Sequence, residues 1–163
     1  MSDATLASSV FVDANDAITF ASRLLTGQGV SAEDSAAIAT CLVQADLRGV
    51  QTHGMSRLPI YVKRVKRGLV NPVPSMKLTK PMAACASLDG DNGFGFLVGI
   101  RAMREAIEMA ETCGVGVVSA HNSNHFGMAA SYLLQAVTAG YFAFVFTNAA
   151  KSMPPWGGRE GLF

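Results

Sequence analysis

The feature that most restricts the fold of this chain is an alternation of strand-like and helix-like segments in its second half. Short apolar runs at 82–88, 115–120 and 141–147 have the length and composition of buried strands. The segments between them, 96–113 and 128–140, place apolar residues at the spacing of amphipathic helices. An order of strand, helix, strand, helix and strand is typical of α/β folds with a parallel or mixed sheet. We therefore predict a βαβαβ layer.

The first half of the chain predicts helices. Three stripes of apolar residues recur there at helical spacing. Asp13 or Asn15 is a suitable N-cap for the first stripe, and Gly27 is placed to end it. Ser31 and Asp34 resemble a capping box ahead of the second stripe.

The stretch NPVP at 71–74 lies between the two patterns, and we place a domain boundary there. Residues 1–75 are expected to form a helical domain, and residues 76–163 the first part of an α/β domain. A layer of this size has a long apolar strand at its open edge and little to cover its second face. We expect that the α/β domain is truncated and that the chain is part of a longer or split protein.

The composition excludes several classes of partner. The 163 residues carry a net charge of +1, and only 15% of them are charged, which gives no electrostatic basis for binding nucleic acid or an anionic membrane. The apolar runs are too short to span a bilayer, and the N-terminus lacks the basic region of a signal peptide. The three cysteines are odd in number and widely spaced, which predicts reduced, mostly buried thiols in a cytoplasmic protein.

One short segment concentrates polar side chains that are useful for catalysis, with His53, Arg57 and Tyr61 within nine positions. Proline is tolerated only in the first turn of a helix, so Pro59 predicts that the third helix begins close by. Ser56 is a good N-cap for that helix. Arg57 then lies in the opening turn, and Tyr61 follows one turn later on the same face.

This arrangement suits a substrate acid. The guanidinium of Arg57 matches a carboxylate in two places, and Tyr61 is a second candidate for substrate binding. His53 precedes the helix, where it can exchange a proton with the oxygen on the carbon beside that carboxylate, as in a 2-oxo or 2-hydroxy acid. Thr52 and Ser56 can orient its ring. The alternative is an ordinary helix entry with a surface arginine and a histidine bonded to the backbone.

A second polar segment, residues 119–131, joins a predicted strand to a predicted helix. Such loops bind phosphates in α/β proteins, against the helix N-terminus. Gly127 allows close backbone approach, although an ordinary connection explains the loop as well. The side chains that supply hydrogen-bond donors are Asn122, Ser123, Asn124 and His125. His121 and His125 are four apart, but a zinc site needs further ligands, and we predict no metal.

The glycines of DGDNGFGFLVG, residues 89–99, do not have the GxGxxG spacing of a Rossmann fingerprint. Turn formation explains them at least as well as a phosphate site. The segment TNAAKSMPPWGG at 147–158 predicts a rigid loop, and a wall of a cofactor pocket is its functional interpretation.

Four segments, in this order, resemble the malate/L-lactate dehydrogenase family of the non-Rossmann type, which also includes ureidoglycolate and sulfolactate dehydrogenases and cyclic imino acid reductases. They cover most of residues 45–158. The segments are DLRGVQTHGMSRLPIYVKRVKRGLVNP, LDGDNGFG, VGVVSAHNSNHFGMAASY and FVFTNAAKSMPPWGG. The resemblance implies an unusual, non-Rossmann dinucleotide-binding domain, NAD or NADP as cofactor, and a homodimer or higher homo-oligomer.

The resemblance also implies residue roles. His53 would be the proton donor or acceptor, Thr52 its relay partner, and Arg57 the group that holds the substrate carboxylate. In some members the histidine at position 125 is instead the catalytic base, so the roles of His53 and His125 stay open. Asn148 would border the cofactor. The implied dinucleotide contacts are His125, Phe126, Gly127, Met128 and Ala129.

We therefore predict an NAD(P)-dependent oxidoreductase that transfers hydride between nicotinamide and a small 2-hydroxy or 2-oxo acid. One alternative is a reductase of cyclic imino acids. Another is an inactive fragment that serves only in subunit association. A metal-dependent hydrolase is the weakest alternative.

Overall fold

The computed structural model describes residues 11–148 and 154–161. Within those ranges no helix combines the length and the apolarity needed to cross a membrane. The elements in chain order are α1 (Ala14–Thr26), α2 (Ala32–Leu47), 3-10 turns at Gln51–His53 and Met55–Arg57, α3 (Leu58–Lys66), β1 (Lys77–Met82), β2 (Cys85–Gly93), α4 (Gly95–Cys113), β3 (Val117–Ser123) and α5 (Ala130–Thr138).

The first two helices begin where their capping residues predict. The side chain of Asp13 accepts hydrogen bonds from the amides of Asn15 and Asp16, and Gly27 follows the last turn of α1. Ser31 Oγ accepts the amide of Asp34 at 3.0 Å and donates to its carboxylate at 2.8 Å. These caps confirm the predicted starts of α1 and α2.

The predicted start of the third helix is wrong by one residue. Ser56 is not the N-cap: it lies in a 3-10 turn, and its hydroxyl donates to the Gln51 carbonyl at 2.9 Å. The α-helix begins at Leu58 with Pro59 in its first turn, and Arg57 is its N-cap. The reason is that the chain turns twice around Gly54 before the helix begins, so the helix starts after the second turn.

The sheet is mixed, with strand order β1-β2-β3. β1 pairs antiparallel with β2, and β2 pairs parallel with β3 across α4. Strand β1 was not predicted, because KLTKPM lacks an apolar period and its residues are largely exposed. Pairing with β2 therefore creates this strand. The first predicted strand, 82–88, overlaps β2 but also includes the turn that follows β1. The second predicted strand and both predicted helices of this half are confirmed with shifted ends.

The third predicted strand, 141–147, does not form within the described residues. Its side chains alternate as in a strand. One set packs against the buried cluster of Met103, Tyr132 and Ala136, and consists of Tyr141, Ala143 and Val145. The other set is exposed and consists of Phe142, Phe144 and Phe146. The backbone of this segment pairs with no described strand, so the observed sheet has three strands, of which β1 replaces the one predicted here.

One buried cluster joins the helical half of the chain to α4. Its members include Leu25, Ile38 and Leu42 from the first two helices and Phe96 from α4. Tyr61 of α3 is 4% exposed and packs edge-on against Phe96, with ring centroids 5.4 Å apart. This core fixes α3 beside the connection between β2 and α4. The domain boundary at 71–74 stays a prediction.

The three cysteines are unpaired and differ in exposure. Cys41 is buried, Cys85 is half-buried and Cys113 is exposed, so the prediction of mostly buried thiols does not hold for Cys113.

Candidate active site

The segment that carries His53 and Arg57 is folded around the carboxylate of Asp46. One oxygen of Asp46 accepts the amide N–H of Met55 at 2.7 Å. A Cβ added to Gly54 would lie 1.9 Å from the other oxygen, so only glycine leaves room for this carboxylate. Asp46 therefore sets the path of the backbone between His53 and Arg57. Its role was not predicted, because nothing in the local spacing links residue 46 to residue 54.

His53 is oriented from two sides. Thr52 Oγ1 lies 2.9 Å from His53 Nδ1, within hydrogen-bond distance. The half-buried ring of His53 stacks on the ring of His125, with centroids 5.4 Å apart and an interplanar angle of 24°. The structure therefore brings together the two histidines that the sequence places in separate segments.

Arg57 presents unused hydrogen-bond donors to the same place. Its Nη2 lies 3.5 Å from His125 Nε2, and its buried Nε has no partner among the described residues. The salt bridges found in the described ranges join Lys80 and Arg101 to Glu105, so no described carboxylate neutralises Arg57. Buried donors are normally satisfied, and a guanidinium with an empty donor beside two imidazoles suits an anionic ligand.

Tyr61 lies beneath His125. Its hydroxyl is 2.9 Å from His125 Nδ1. Burial raises the pKa of Tyr61 to about 12, against the opposing effect of the positive charge of Arg57. The phenol is therefore protonated at neutral pH and has a hydrogen to donate.

His125 is surrounded by positive charge. Its pKa is lowered, first by partial loss of water around the ring and then by the charges of Arg57, His53 and Arg64. As a residue His125 is exposed, so a ligand can reach its outer edge while its inner edge faces Tyr61. A neutral His125 is the expected form at neutral pH.

Asn124 clamps the loop that carries His125. Arg64 Nη2 donates to Asn124 Oδ1 at 2.8 Å, which joins the loop to α3. The amide nitrogen of the same side chain donates to the backbone carbonyls of Asn92 at 2.9 Å and Gly93 at 3.0 Å. Asn124, one of the predicted donors, thus holds the loop of His125 in place. Arg64, which bonds it, was not predicted from the sequence.

The glycines of the segment 89–99 serve close packing as well as turns. A Cβ on Gly95 would lie 2.1 Å from the Asn124 carbonyl oxygen and 2.7 Å from the His125 carbonyl carbon. A Cβ on Gly90 would lie 2.8 Å from the Asn122 carbonyl oxygen. The explanation by turns alone is therefore incomplete: Gly95 lets the loop of His125 lie directly against the start of α4, and Gly90 lets β2 approach the end of β3 closely.

The far end of the loop leads into α5. Gly127 adopts a φ of +72°, and a Cβ there would lie 2.3 Å from the Phe96 ring. The Tyr132 hydroxyl donates to the Phe126 carbonyl, and the rings of these two residues stack with centroids 5.2 Å apart. The backbone amides of residues 128–130 find no acceptor among the described residues. This end of the loop is closely packed and still offers donors.

Other predicted site residues lie apart from this cluster. The Asn122 side chain donates to Asp89 at 2.9 Å, and Ser123 Oγ to the Asn124 carbonyl at 3.5 Å. The amide of Asp91, Asn122 and the nearby charge of His121 lower the pKa of Asp89. Asn148 is exposed, and its carbonyl accepts the Thr147 hydroxyl at 3.4 Å. Within the described ranges no group of three potential metal ligands occurs.

Comparisons with known proteins agree on one family. The model of the malate/L-lactate dehydrogenase family matches residues 12–163. The chain is 40% identical over 153 residues to malate dehydrogenase of Pyrococcus abyssi, covering 94% of this chain and 42% of the relative. It is 42% identical over 134 residues to L-sulfolactate dehydrogenase of Methanocaldococcus jannaschii, covering 82% and 39%.

The solved structure of malate dehydrogenase from Pyrococcus horikoshii OT3 superposes with a TM-score of 0.78 at 42% identity, covering 80% of this chain and 38% of the other. The chain therefore spans about two fifths of the length of these relatives. The match runs through both the helical half and the α/β half, and it includes every residue of the cluster described above. The chain belongs to the malate/L-lactate dehydrogenase family.

Proposed function

We propose that the protein acts as an NAD(P)-dependent oxidoreductase that interconverts a 2-hydroxy acid and the corresponding 2-oxo acid. The observation that carries the proposal is the convergence of Arg57, His53 and His125. A guanidinium with an unfilled buried donor lies beside two imidazoles, and that combination suits an acid with an oxygen on the neighbouring carbon.

Each side chain has a role that follows from its position. Arg57 binds the substrate carboxylate. Tyr61 was expected to be a second substrate contact, but its phenol is buried and bonds His125, so we assign it the role of supporting His125 from below. His53 exchanges a proton with the substrate oxygen, and the Thr52 hydroxyl, 2.9 Å from its Nδ1, fixes the ring. Oxidation of the hydroxy acid removes one proton from oxygen and one hydride from carbon, so the protein needs a group to take the proton.

A nicotinamide dinucleotide, when bound, supplies the hydride chemistry. The described residues fit such a group: the amides of residues 128–130 have no described acceptor at the start of α5, where an anion is favoured. The close packing of Gly127 on Phe96 holds this backbone in place. We propose that Asn148 borders the cofactor. The residues that we assign to direct cofactor contact are His125, Phe126, Gly127, Met128 and Ala129.

The names of the relatives support an acid substrate. The dehydrogenases that this chain resembles are named after malate and sulfolactate, which are both 2-hydroxy acids. We propose a substrate of this class for the whole protein. We also propose a homodimer or higher homo-oligomer in the cytoplasm, which light scattering of the purified protein and cell fractionation test.

The experiment that tests the function is a panel of 2-oxo acids with NADH and NADPH, with cyclic imino acids as the competing substrates. It is run on this chain and on a version extended to the length of the relatives. We expect oxidation of the reduced cofactor with at least one 2-oxo acid in the extended version. Activity that persists unchanged in both His53→Ala and Arg57→Ala variants contradicts the assignment.

A further inference from the structure

The hydrogen bonds around His125 restrict which of its ring nitrogens carries the proton. The backbone N–H of Gly127 points at Nδ1, with the two nitrogens 3.2 Å apart. A backbone amide can only donate, so a hydrogen on Nδ1 would face another hydrogen. Nδ1 is therefore the acceptor, and a neutral His125 carries its proton on Nε2.

Tyr61 supplies a second donor to the same nitrogen. Its hydroxyl lies 2.9 Å from His125 Nδ1 and is protonated at neutral pH. A side-chain hydroxyl can in principle reverse its role and accept from an Nδ1–H, but the fixed amide of Gly127 disfavours that arrangement. Two donors on one nitrogen stabilise the neutral ring and oppose its protonation.

The groups that face His125 from the packed elements are all neutral or positive. Arg57 and Arg64 come from the entry and the body of α3, His53 stacks from the preceding turn, and Tyr61 lies beneath. Among the described residues no carboxylate bonds to the ring. Nothing described therefore favours the charged imidazolium.

Arg57 is the one neighbour whose position opposes a proton on Nε2 of His125, because a guanidinium can only donate. Its Nη2 lies 3.5 Å from His125 Nε2, at the outer limit of a hydrogen bond and on a flexible side chain, whereas Nδ1 has closer donors on both sides. If Nε2 carries hydrogen, Arg57 and His125 are two donors that cannot bond each other. One acceptor atom beside both nitrogens would satisfy the two donors together.

We propose that Tyr61 and Gly127 hold His125 as a neutral imidazole with its hydrogen on Nε2, and that this N–H and the Arg57 guanidinium together bind one oxygen of the ligand. His125 is then a hydrogen-bond donor, and proton exchange belongs to His53. Tyr61 is a positioning residue that acts through His125. The identity of the oxygen, as part of a 2-hydroxy or 2-oxo acid, and the proton exchange by His53 rest on the proposed function.

The direct test is a long-range ¹H–¹⁵N correlation spectrum of the histidine rings, recorded across a pH titration. The chain contains His53, His121 and His125, and the signals lost in His125→Gln identify the third. We expect an unprotonated Nδ1 and a protonated Nε2 at neutral pH, with a titration midpoint below that of an ordinary histidine. A proton on Nδ1, or an imidazolium at neutral pH, overturns the proposal.

The variant Tyr61→Phe separates the two donors. It keeps the ring, so the fold is disturbed little, and it removes the hydroxyl. The Gly127 amide should keep the proton on Nε2, while the His125 midpoint rises because one bond to the neutral form is gone. Tyr141→Phe, a half-buried tyrosine in the other cluster, is the matched control and should leave the midpoint unchanged. An unchanged midpoint in Tyr61→Phe removes Tyr61 from the proposal.

Kinetics of the extended protein provide a second test. Glutamine also offers a neutral N–H donor, so His125→Gln should retain kcat/KM roughly tenfold above His125→Ala, about the effect of one hydrogen bond. If His125 were the base, both variants should lose activity alike. The spectrum needs no substrate, so it tests the tautomer of His125 independently of activity. A protein without dehydrogenase activity would contradict the proposed function and leave the tautomer result unaffected.

Discussion

The imidazoles of His53 and His125 stack 5.4 Å apart, although they come from the helical half and the α/β half of the chain. Two stacked imidazoles beside Arg57 cannot both be charged without strong repulsion. The pair therefore links the protonation of the site to the contact between the two halves.

This arrangement predicts that the protein loses stability in mild acid. The pKa of His125 is lowered in the folded chain from its ordinary value of 6.5. As the pH falls through 6.5, His125 becomes protonated in the unfolded chain but stays neutral in the folded chain. The free energy of unfolding therefore decreases. Urea unfolding at about pH 7.5 and about pH 5.5 measures the change. In His125→Gln this difference should shrink, and an equal difference in both proteins contradicts the prediction.

Removal of the guanidinium should weaken substrate capture. In the extended protein, Arg57→Ala is expected to lower kcat/KM. The decrease should correspond to a loss of about 2–3 kcal/mol of transition-state stabilisation, as for lost charged hydrogen bonds. Arg57→Lys should recover part of the loss, because it keeps the charge but not the two-pronged geometry. Steady-state kinetics with the best acid of the panel give the values. Arg104→Ala, an exposed arginine on α4, is the control. Equal activity in Arg57→Ala and Arg104→Ala rules out the assigned role.

Local signals predicted the elements whose ends are set locally. Asp13 and Ser31 cap their helices with their own side chains, and such caps can be predicted from a stretch of about four residues. Strand β1 had no such signal, because its pairing with β2 creates it. The segment 141–147 showed the opposite case: it has the alternation of a strand and lacks a described pairing partner.

The same distinction applies to the site. Spacing pointed to His53, Arg57 and Tyr61 in one segment and to His125 in another, and the resemblance added the alternative role of His125 as the base. The supporting contacts join distant parts of the chain: Asp46 with Gly54, Arg64 with Asn124, and Gly95 with the loop of His125. Spacing carries no information about such pairs, so they emerge only from the folded chain.

Gly54 should not tolerate a side chain. In Gly54→Ala the new Cβ would lie 1.9 Å from Asp46 Oδ1, so either the carboxylate or the turn between His53 and Arg57 must move. We expect a loss of about 1–3 kcal/mol in the free energy of unfolding, as for other overpacked sites, together with reduced activity of the extended protein. Thermal and urea unfolding measure the first effect.

The matched control for that change is Gly27→Ala. Gly27 has right-handed backbone angles, and an added Cβ would come no closer than 3.4 Å to a backbone oxygen. This variant should keep or slightly raise stability. If Gly54→Ala is as stable as Gly27→Ala, the Asp46 carboxylate does not fix the turn.

Arg64 should limit the mobility of the loop that carries His125. Its guanidinium donates to Asn124 Oδ1 at 2.8 Å, and the Asn124 side chain donates to the carbonyls of Asn92 and Gly93. Arg64→Ala removes the bond to α3 and leaves the other two, so we expect local loosening at a cost of about 1–2 kcal/mol with the helices intact. Hydrogen exchange of the hydrogen-bonded amides in this loop, such as that of Gly127, should become faster. Lys63→Ala changes an exposed neighbour on the same helix and should leave those amides unaffected. Exchange that accelerates equally in both variants would show that α3 as a whole, and not the Arg64–Asn124 bond, holds the loop.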